Sequence, residues 1–374
     1  MPFKAFLEAL MHRLDTTSIG QLFRSSRPGF TASSPHPILG MSDAIVPIRA
    51  IEFTSSGKWK YAQAPHDSKR PYSPSHLSTS LTLVTWNVDF MMPNASLRLT
   101  AALDYLQYRV FPGSECGQPP PCIILLQEIK AGDFSTLLAH PWVREWFAVV
   151  PGSADDGWPR GATYGTVTLV ARNESMPLAG STCVHFGGSR MARNALVTDV
   201  LLGGSAGSGG RVLRVVNTHL ESLPEGTPQR VAQMGDIAKL LKKTGMLGGI
   251  VGGDMNAIAA SDKTLASENG LTDAWEEEHR RGGADEDVGA AEEEDDDGGI
   301  TWGYQPRTRY PPGRLDRILY TKNEDSDLKI QDVRRIAVGL EMQGGIGGWV
   351  SDHYGLVCQV RVEAQGDVSL EAEA

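Results

Sequence analysis

Short, almost wholly apolar runs alternate along the chain with longer stretches of helical spacing, and the runs are the stronger signal. They are LTLVTWNV (81–88), CIILLQEI (122–129), TVTLVAR (166–172), ALVTDVLL (195–202), RVLRVVNTHL (211–220), GGIVGGD (248–254), RLDRILY (314–320) and GLVCQVRV (355–362). Runs of that length, rich in Val, Ile and Leu, predict strands buried on both faces; an amphipathic helix needs roughly ten residues or more to show its stripe. Residues 96–110 and 133–146 carry helical periodicity. So do 228–243, behind Thr227 as an N-cap and Pro228 at the first helical position. Gly203 to Gly210 reads as a flexible loop between two strands. Strands outnumber helices, which predicts an α/β domain of two packed sheets with helices outside, over residues 81–363.

The flanks are less regular. Residues 1–44 read as a flexible or weakly helical extension, with a short helix at 3–14 and a Ser/Pro/Gly-rich linker at 25–42. Residues 45–80 read as a hairpin and linker leading into the domain, with 45–53 facing 57–63 around Ser55-Ser56-Gly57. Residues 364–374 form a C-terminal tail.

A hydrophobic fraction of 41% is enough to bury a sizeable core. No apolar run approaches the ~20 residues that span a bilayer, and the first thirty residues lack the long apolar stretch and cleavage site of a secretory signal. A membrane role is therefore not expected, and an intracellular location is. None of the four cysteines are in CxxC spacing, which gives no reason to expect a zinc site or a redox pair. Cys122 and Cys358, in apolar runs, read as core residues of a protein in a reducing compartment.

The formal charge of -10 is localised. Residues 276–297 hold twelve acidic and two basic residues, which accounts for all of it and leaves the rest close to neutral. The stretch 276–299 is predicted to be a disordered acidic surface insertion. With no broad basic face, long non-specific duplex binding is not predicted.

The informative residues lie at the C-terminal ends of the apolar runs, where α/β sites form. Thr85 to Asp89, Leu126 to Glu128, Asn217 to Ser222, Gly253 to Asn256 and Ser351 to His353 each end a strand in polar groups, and Arg314-Leu315-Asp316-Arg317 adds a carboxylate in mid-strand. Phosphodiester hydrolysis needs such a set. Glu128 is a natural ligand for a hard, oxygen-liganded cation, and Asn87 can help hold both cation and phosphate. Asp254 can orient and deprotonate a water that Asn256 positions. His353, kept protonated by Asp316 or Asp352, can stabilise charge developing on phosphoryl oxygens. Taken singly, a Glu at a strand end is usually solvated and an Asp–His pair is more often a structural hydrogen bond. Six such segments in one chain shift the balance towards chemistry.

The ordered set TWN, QE, THLES, GDMN, RLDR and SDH resembles the endonuclease/exonuclease/phosphatase superfamily, over residues 84 to about 360. TWNVD, NTHLES followed by QRVAQ, Thr301-Trp302 and SDHYGL are most similar to its tyrosyl-DNA phosphodiesterase 2 branch. The sequence departs from that branch at Phe90, Met91, Gln229, Met255 and Leu315. The resemblance implies a DNase I-like four-layer α/β/β/α sandwich and one Mg²⁺ or Mn²⁺ held by Glu128, Asn87 and Asp352. It implies catalytic roles for Asn87, Glu128, His219, Asp254, Asn256, Asp316 and His353, with Asp316 orienting His353 and His219 beside the phosphate. It further implies hydrolysis of 5′-phosphotyrosyl DNA ends in repair of topoisomerase II adducts, single-stranded contact at the DNA end, and a monomer working in the nucleus or cytoplasm. Substrate contacts are expected from Ser222, Tyr164, Arg230, Trp302 and Arg314, with Arg190, Arg193 and Arg307 as further phosphate candidates. An abasic-site endonuclease, an inositol polyphosphate phosphatase, an RNA deadenylase and a non-catalytic nucleic-acid-binding scaffold remain open at this point.

Overall fold

The computed structural model describes residues 43–62, 76–112, 117–203, 210–282, 298–321, 328–345 and 347–362. The expected helix at 3–14, the linker at 25–42, Cys116, most of the Gly203–Gly210 loop, the centre of the acidic stretch and the tail lie outside the described residues.

Among the described residues, fifteen strands form two mixed sheets. They are β1 (Ala44–Pro47), β2 (Ile51–Phe53), β3 (Trp59–Tyr61), β4 (Ser80–Asn87), β5 (Cys122–Lys130), β6 (Phe147–Val150), β7 (Tyr164–Ala171), β8 (Leu178–His185), β9 (Asn194–Leu202), β10 (Arg211–His219), β11 (Gly248–Asp254), β12 (Thr272–Asp273), β13 (Asp316–Tyr320), β14 (Leu328–Ile336) and β15 (Gly355–Val362). One sheet runs β1-β8-β9-β10-β11-β13-β12 and the other β14-β15-β4-β5-β7-β6-β2-β3. The named helices are α1 (Ala95–Tyr105), α2 (Phe134–Ala139), α3 (Pro141–Trp146), α4 (Thr227–Leu241) and α5 (Ala274–Gly282). The two sheets pack face to face, with β4 and β5 against β10 and β11.

The eight apolar runs all become strands because both faces of each are covered. Leu83, Leu125, Val215 and Ile250 fill the layer between the sheets, and on the opposite face of β4 Val84 and Trp86 pack on the α1 side with Leu103 and Leu106. A second apolar layer sits beneath α4, where Met234, Ile237, Ala238 and Leu241 cover Val216 and Val251. Each fully buried side chain of this kind contributes roughly 1.5–3 kcal/mol relative to exposure. The result is the expected sandwich of two packed mixed sheets with helices around them.

Several local expectations are corrected. The helix expected over 133–146 breaks at His140, because the proline at 141 drives the residue before it into an extended conformation. Thr227 is not the N-cap of α4. That place belongs to Gly226, and the Thr227 hydroxyl instead donates to Pro224 O. Only part of the 45–53 segment enters the hairpin: β2 pairs with β3, whereas β1 crosses to the other sheet and pairs with β8. Asp316 opens β13 rather than lying in mid-strand. Residues 276–282 belong to the ordered helix α5, anchored by Glu276 on Arg314 and Arg317. Strand β14 was not among the runs because Lys329, Asp332 and Arg334 alternate with its apolar residues, the pattern of a strand with one face in water.

Candidate active site

The sheet registers bring the candidate residues together. In one sheet β4 and β5 are parallel neighbours, placing Asn87 beside Gln127, one residue before Glu128. In the other, β10 and β11 are parallel and pair His219 with Asp254, while antiparallel β13 pairs Asp316 with Asp254. Parallel neighbours finish at the same sheet edge, so residues far apart in sequence meet at one set of strand ends.

Asp254 is the hub. Its Oδ2 accepts from Asn87 Nδ2 at 3.1 Å and lies 3.3 Å from His219 Nε2 and 3.8 Å from His353 Nε2. Its Oδ1 accepts the Asn256 backbone N–H at 2.8 Å, and Asn256 Nδ2 donates to Leu220 O. The residue before the hub must be glycine: Gly253 has φ +153°, and a Cβ there would sit 1.9 Å from Thr218 O. On the far side of the cleft, His353 Nδ1 and Asp316 Oδ2 are 2.7 Å apart, which leaves Nε2 facing Asp254 and Asp352. Asp316 is held by its own backbone N–H on Thr301 Oγ1, and His353 by its N–H on Ser351 Oγ.

The two histidines are driven in opposite directions. Burial by itself would lower His353, but the carboxylates of Asp316, Asp352 and Asp254 outweigh it and hold the imidazole well above its ordinary value. Burial lowers His219, and the neighbouring charges of Arg193 and His353 lower it further, so it is neutral. Glu128 is pushed up to about 8 by burial and by the carboxylates of Asp89 and Asp352. Asp89 is pushed up to about 6 by burial and by Asp352.

Three of these residues adopt left-handed backbone. Asp89, Glu128 and Asn256 have φ of +52°, +61° and +47°, and Glu128 lies where the β5–β7 register breaks. Such conformations cost of order 1–3 kcal/mol for a non-glycine residue and cluster at functional sites. Here the turn at Glu128 is stabilised by the Phe90 N–H, which donates to Oε2 at 3.1 Å.

Glu128, Asp89 and Asp352 form a partly desolvated set of hard oxygen donors that repel one another, with Asn87 Oδ1 adjoining through the Asp89 N–H. That chemistry fits a divalent cation such as magnesium. Among the described residues, no three His, Cys, Asp or Glu side chains converge closely enough to cage a metal by themselves. A cation here would draw part of its shell from water and substrate oxygen, as magnesium commonly does.

Of the expected substrate contacts, Tyr164 stacks on Phe90 with centroids 3.9 Å apart and lies 6.4 Å from the His219 ring. Trp302 donates its indole N–H to Asp352 Oδ2 at 3.0 Å. Ser222 is half-buried just beyond β10. Two expectations are overturned. Arg230 is fully buried: it pairs with Asp262 at 2.8 Å and donates to Glu221 O, Leu223 O and Thr227 Oγ1, so it is a structural residue of α4. Arg314 is held by both oxygens of Asp273 and by Glu276, which leaves its charge neutralised. Arg193 is buried against His219, whereas Arg190 and Arg307 are exposed.

Other residues were missed because they work behind the contacts. Asp89 closes the segment that begins at Thr85, and its own role follows from its place beside Glu128 and Asp352. Gln127 and Asn217 join the two sheets, and Ser351 ties Asn87 O to the His353 N–H. The available signal was their position: polar residues flanking the candidates inside otherwise apolar runs.

The fold and this cleft define a metal-compatible phosphodiesterase-type site on a two-sheet sandwich. A family model described as the endonuclease/exonuclease/phosphatase family matches residues 84–353, and the chain belongs to that family. Solved structures with this fold include a zebrafish TDP2 humanised by 14 mutations, at 22% identity and TM-score 0.55, covering 76% of this chain and 100% of that one. A truncated Caenorhabditis elegans TDP2 matches at 21% identity and TM-score 0.52, covering 75% of this chain and 97% of that one. Zebrafish TDP2 complexed with single strand DNA product matches at 21% identity and TM-score 0.55, over 76% and 100% of the two chains. No curated protein matches the chain. Among the described residues no helix is long and apolar enough to cross a membrane.

Proposed function

We propose that this protein is a magnesium- or manganese-dependent phosphodiesterase that hydrolyses 5′-phosphotyrosyl bonds at DNA ends, as in repair of topoisomerase II adducts. The observation that carries the proposal is the His353–Asp316 pair at 2.7 Å facing Asp254 across one cleft. A carboxylate base and a protonated imidazole held at one cluster, with Nε2 of His353 3.8 Å from Asp254 Oδ2, suit attack by an activated water with charge stabilisation at the phosphoryl oxygens.

Asp254, steadied by Asn87, His219 and the Asn256 N–H, orients a water and takes its proton as the water oxygen bonds to phosphorus. The bond from phosphorus to the phenolic oxygen breaks on the opposite side. Charge building on the phosphoryl oxygens is met by the Nε2–H groups of His353 and His219. Glu128, Asn87 and Asp352, with Asp89 beside them, would hold the divalent ion, which supplies charge neutralisation at the phosphate. A phenol has a pKa of about 10 and leaves as phenolate, so no strong general acid is required.

The choice of a DNA-linked phenol rests on the branch resemblance and on Tyr164 and Trp302 bordering the cleft. The single-strand product in the zebrafish TDP2 neighbour supports the same direction. A panel of a 5′-tyrosyl oligonucleotide, abasic duplex DNA, a phosphoinositide and polyadenylated RNA tests it. Cleavage of the tyrosyl oligonucleotide in preference to the others is expected. Turnover of another member with none of the tyrosyl substrate would assign the chain to a different activity of its family.

A further inference from the structure

We infer that Arg193 is a positioning residue that sets the tautomer of His219, fixing its proton on Nε2. Arg193 Nη1 lies 2.9 Å from His219 Nδ1. A guanidinium offers only donors, so Nδ1 must accept. An imidazole with hydrogen on Nδ1 would set donor against donor at that distance, and a doubly protonated ring would add charge repulsion in a buried site. Two of the three protonation states are thereby disfavoured. The state that remains points an N–H from Nε2 at Asp254 Oδ2, 3.3 Å away, on the side where the phosphate is proposed to bind. Glu128 Oε1 lies 3.9 Å from Nδ1, beyond hydrogen-bonding distance, and does not compete for that nitrogen.

The arginine is itself held in place. Its side chain is buried, with only 6% of the residue exposed, and its guanidinium lies 5.4 Å over the Tyr164 ring. Its backbone N–H donates to Ser189 Oγ at 2.9 Å. The Ser189 hydroxyl donates to Glu221 Oε2 at 2.7 Å, and the Arg190 N–H donates to Glu221 Oε1 at 2.8 Å. Glu221 is buried and takes a third hydrogen bond from Gln233 Nε2. It stands two residues after His219, so the ring closes on itself: His219, Glu221, Ser189, Arg193 and back to His219. Ala192 completes the loop in left-handed backbone at φ +57°, a conformation that persists only when its surroundings enforce it. The strand end that presents the histidine therefore also supplies the carboxylate that orients its partner.

The catalytic consequence rests on the phosphodiesterase proposal, but the tautomer does not, and the two are measured separately. In ¹⁵N-histidine-labelled full-length protein, with His219 assigned by comparison with His219→Ala, long-range ¹H–¹⁵N spectra report which ring nitrogen carries hydrogen. Wild type is expected to show Nε2–H and an unprotonated, hydrogen-bond-accepting Nδ1. Arg193→Lys, which keeps a donor, is expected to preserve that pattern. Arg193→Met should move the Nδ1 shift and populate the Nδ1–H form. Against the tyrosyl oligonucleotide, Arg193→Met should lower kcat about tenfold or more with a smaller change in KM, and Arg193→Lys should recover part of the loss. Hydrogen on Nδ1 of His219 in wild type overturns the inference, and so does an Nε2–H pattern unchanged in Arg193→Met. If Arg193→Met does not fold, the wild-type spectrum and Ser189→Ala, which loosens the same loop, decide the matter. The expected tautomer in a protein that cleaves no tyrosyl substrate would remove the proposed activity and leave the positioning intact.

Discussion

Gln127 in one sheet donates its side-chain amide to the amide oxygen of Asn217 in the other, across 2.9 Å in a fully buried setting. Asn217 returns its own amide to Leu126 O and Val167 O, and Gln127 also reaches Thr85 Oγ1. Gln127 directly precedes Glu128, and Asn217 stands two residues before His219, so the polar bridge between the sheets lies just behind the cleft. Replacing Asn217 by Ala leaves several buried groups without partners and is expected to cost about 2–4 kcal/mol of stability, seen as a lower denaturation midpoint. Activity should fall as well, although Asn217 touches no substrate. A variant as stable as wild type would contradict this bridging role.

The pair at 2.7 Å between His353 and Asp316 makes a prediction in pH. The carboxylates around His353 raise its folded value, so the protonated, working form is present at low and neutral pH and is lost as pH rises through that value. Removing the Asp316 charge lowers it. The alkaline fall of kcat/KM should therefore begin at lower pH in Asp316→Asn than in wild type. An unmoved alkaline limb would show that another group controls it.

Glu128 makes a prediction about stability. Its carboxyl is pushed up to about 8, so in metal-free buffer its ionisation opposes folding, increasingly as pH rises from the ordinary carboxylate range towards 8. Glu128→Gln removes that burden. In EDTA the variant should melt at or above the wild-type temperature, with the gap widening over this pH range. In the same variant, titration calorimetry should show magnesium affinity weakened tenfold or more. A destabilised variant, or undiminished magnesium binding, would argue against Glu128 as a cation ligand.

The arginines separate by environment. Arg230 is paired with Asp262 in the core, and Arg230→Met should cost about 3–5 kcal/mol by leaving that carboxylate alone. It should not alter the salt dependence of DNA binding by the folded protein. Arg190, exposed beside the cleft, is expected to behave inversely: Arg190→Ala should keep the melting temperature and reduce the salt slope by about one. The reverse assignment would follow if the salt slope changed for Arg230→Met alone.

The strands that carry chemistry were legible in the sequence because burial on both faces leaves an unbroken apolar run, as in β5 and β11. The residues at their tips were legible for a related reason: Asn87 and Asp254 are polar where a run stops, whereas His353, expected to end a strand, stands just before antiparallel β15 begins. What pattern reading could not supply was destination. Arg230 and Arg190 are both arginines near candidate motifs, yet one is walled in by Asp262 and carbonyls and the other faces water. Only three-dimensional packing separates them. Glu276 looked like the start of a disordered acidic tract because composition carries no sign of its partners Arg314 and Arg317, roughly forty residues away. Strand β14 was hidden because it exposes one face and so mixes polar with apolar residues, and β8 because its half-buried positions hold small and polar residues such as Gly180, Ser181 and Thr182. The link between Arg193 and His219 joins residues 26 apart in sequence and has no signature within either segment.

Cleavage of a 5′-tyrosyl oligonucleotide, followed while magnesium is titrated into EDTA-treated wild type and Asp254→Asn, bears most directly on the proposed chemistry. Wild type should release free tyrosine and a 5′-phosphorylated strand only as magnesium is restored, and folded Asp254→Asn should release neither at any concentration. Tyrosine release that persists in EDTA, or that survives in Asp254→Asn, would contradict metal-dependent hydrolysis with Asp254 activating the water.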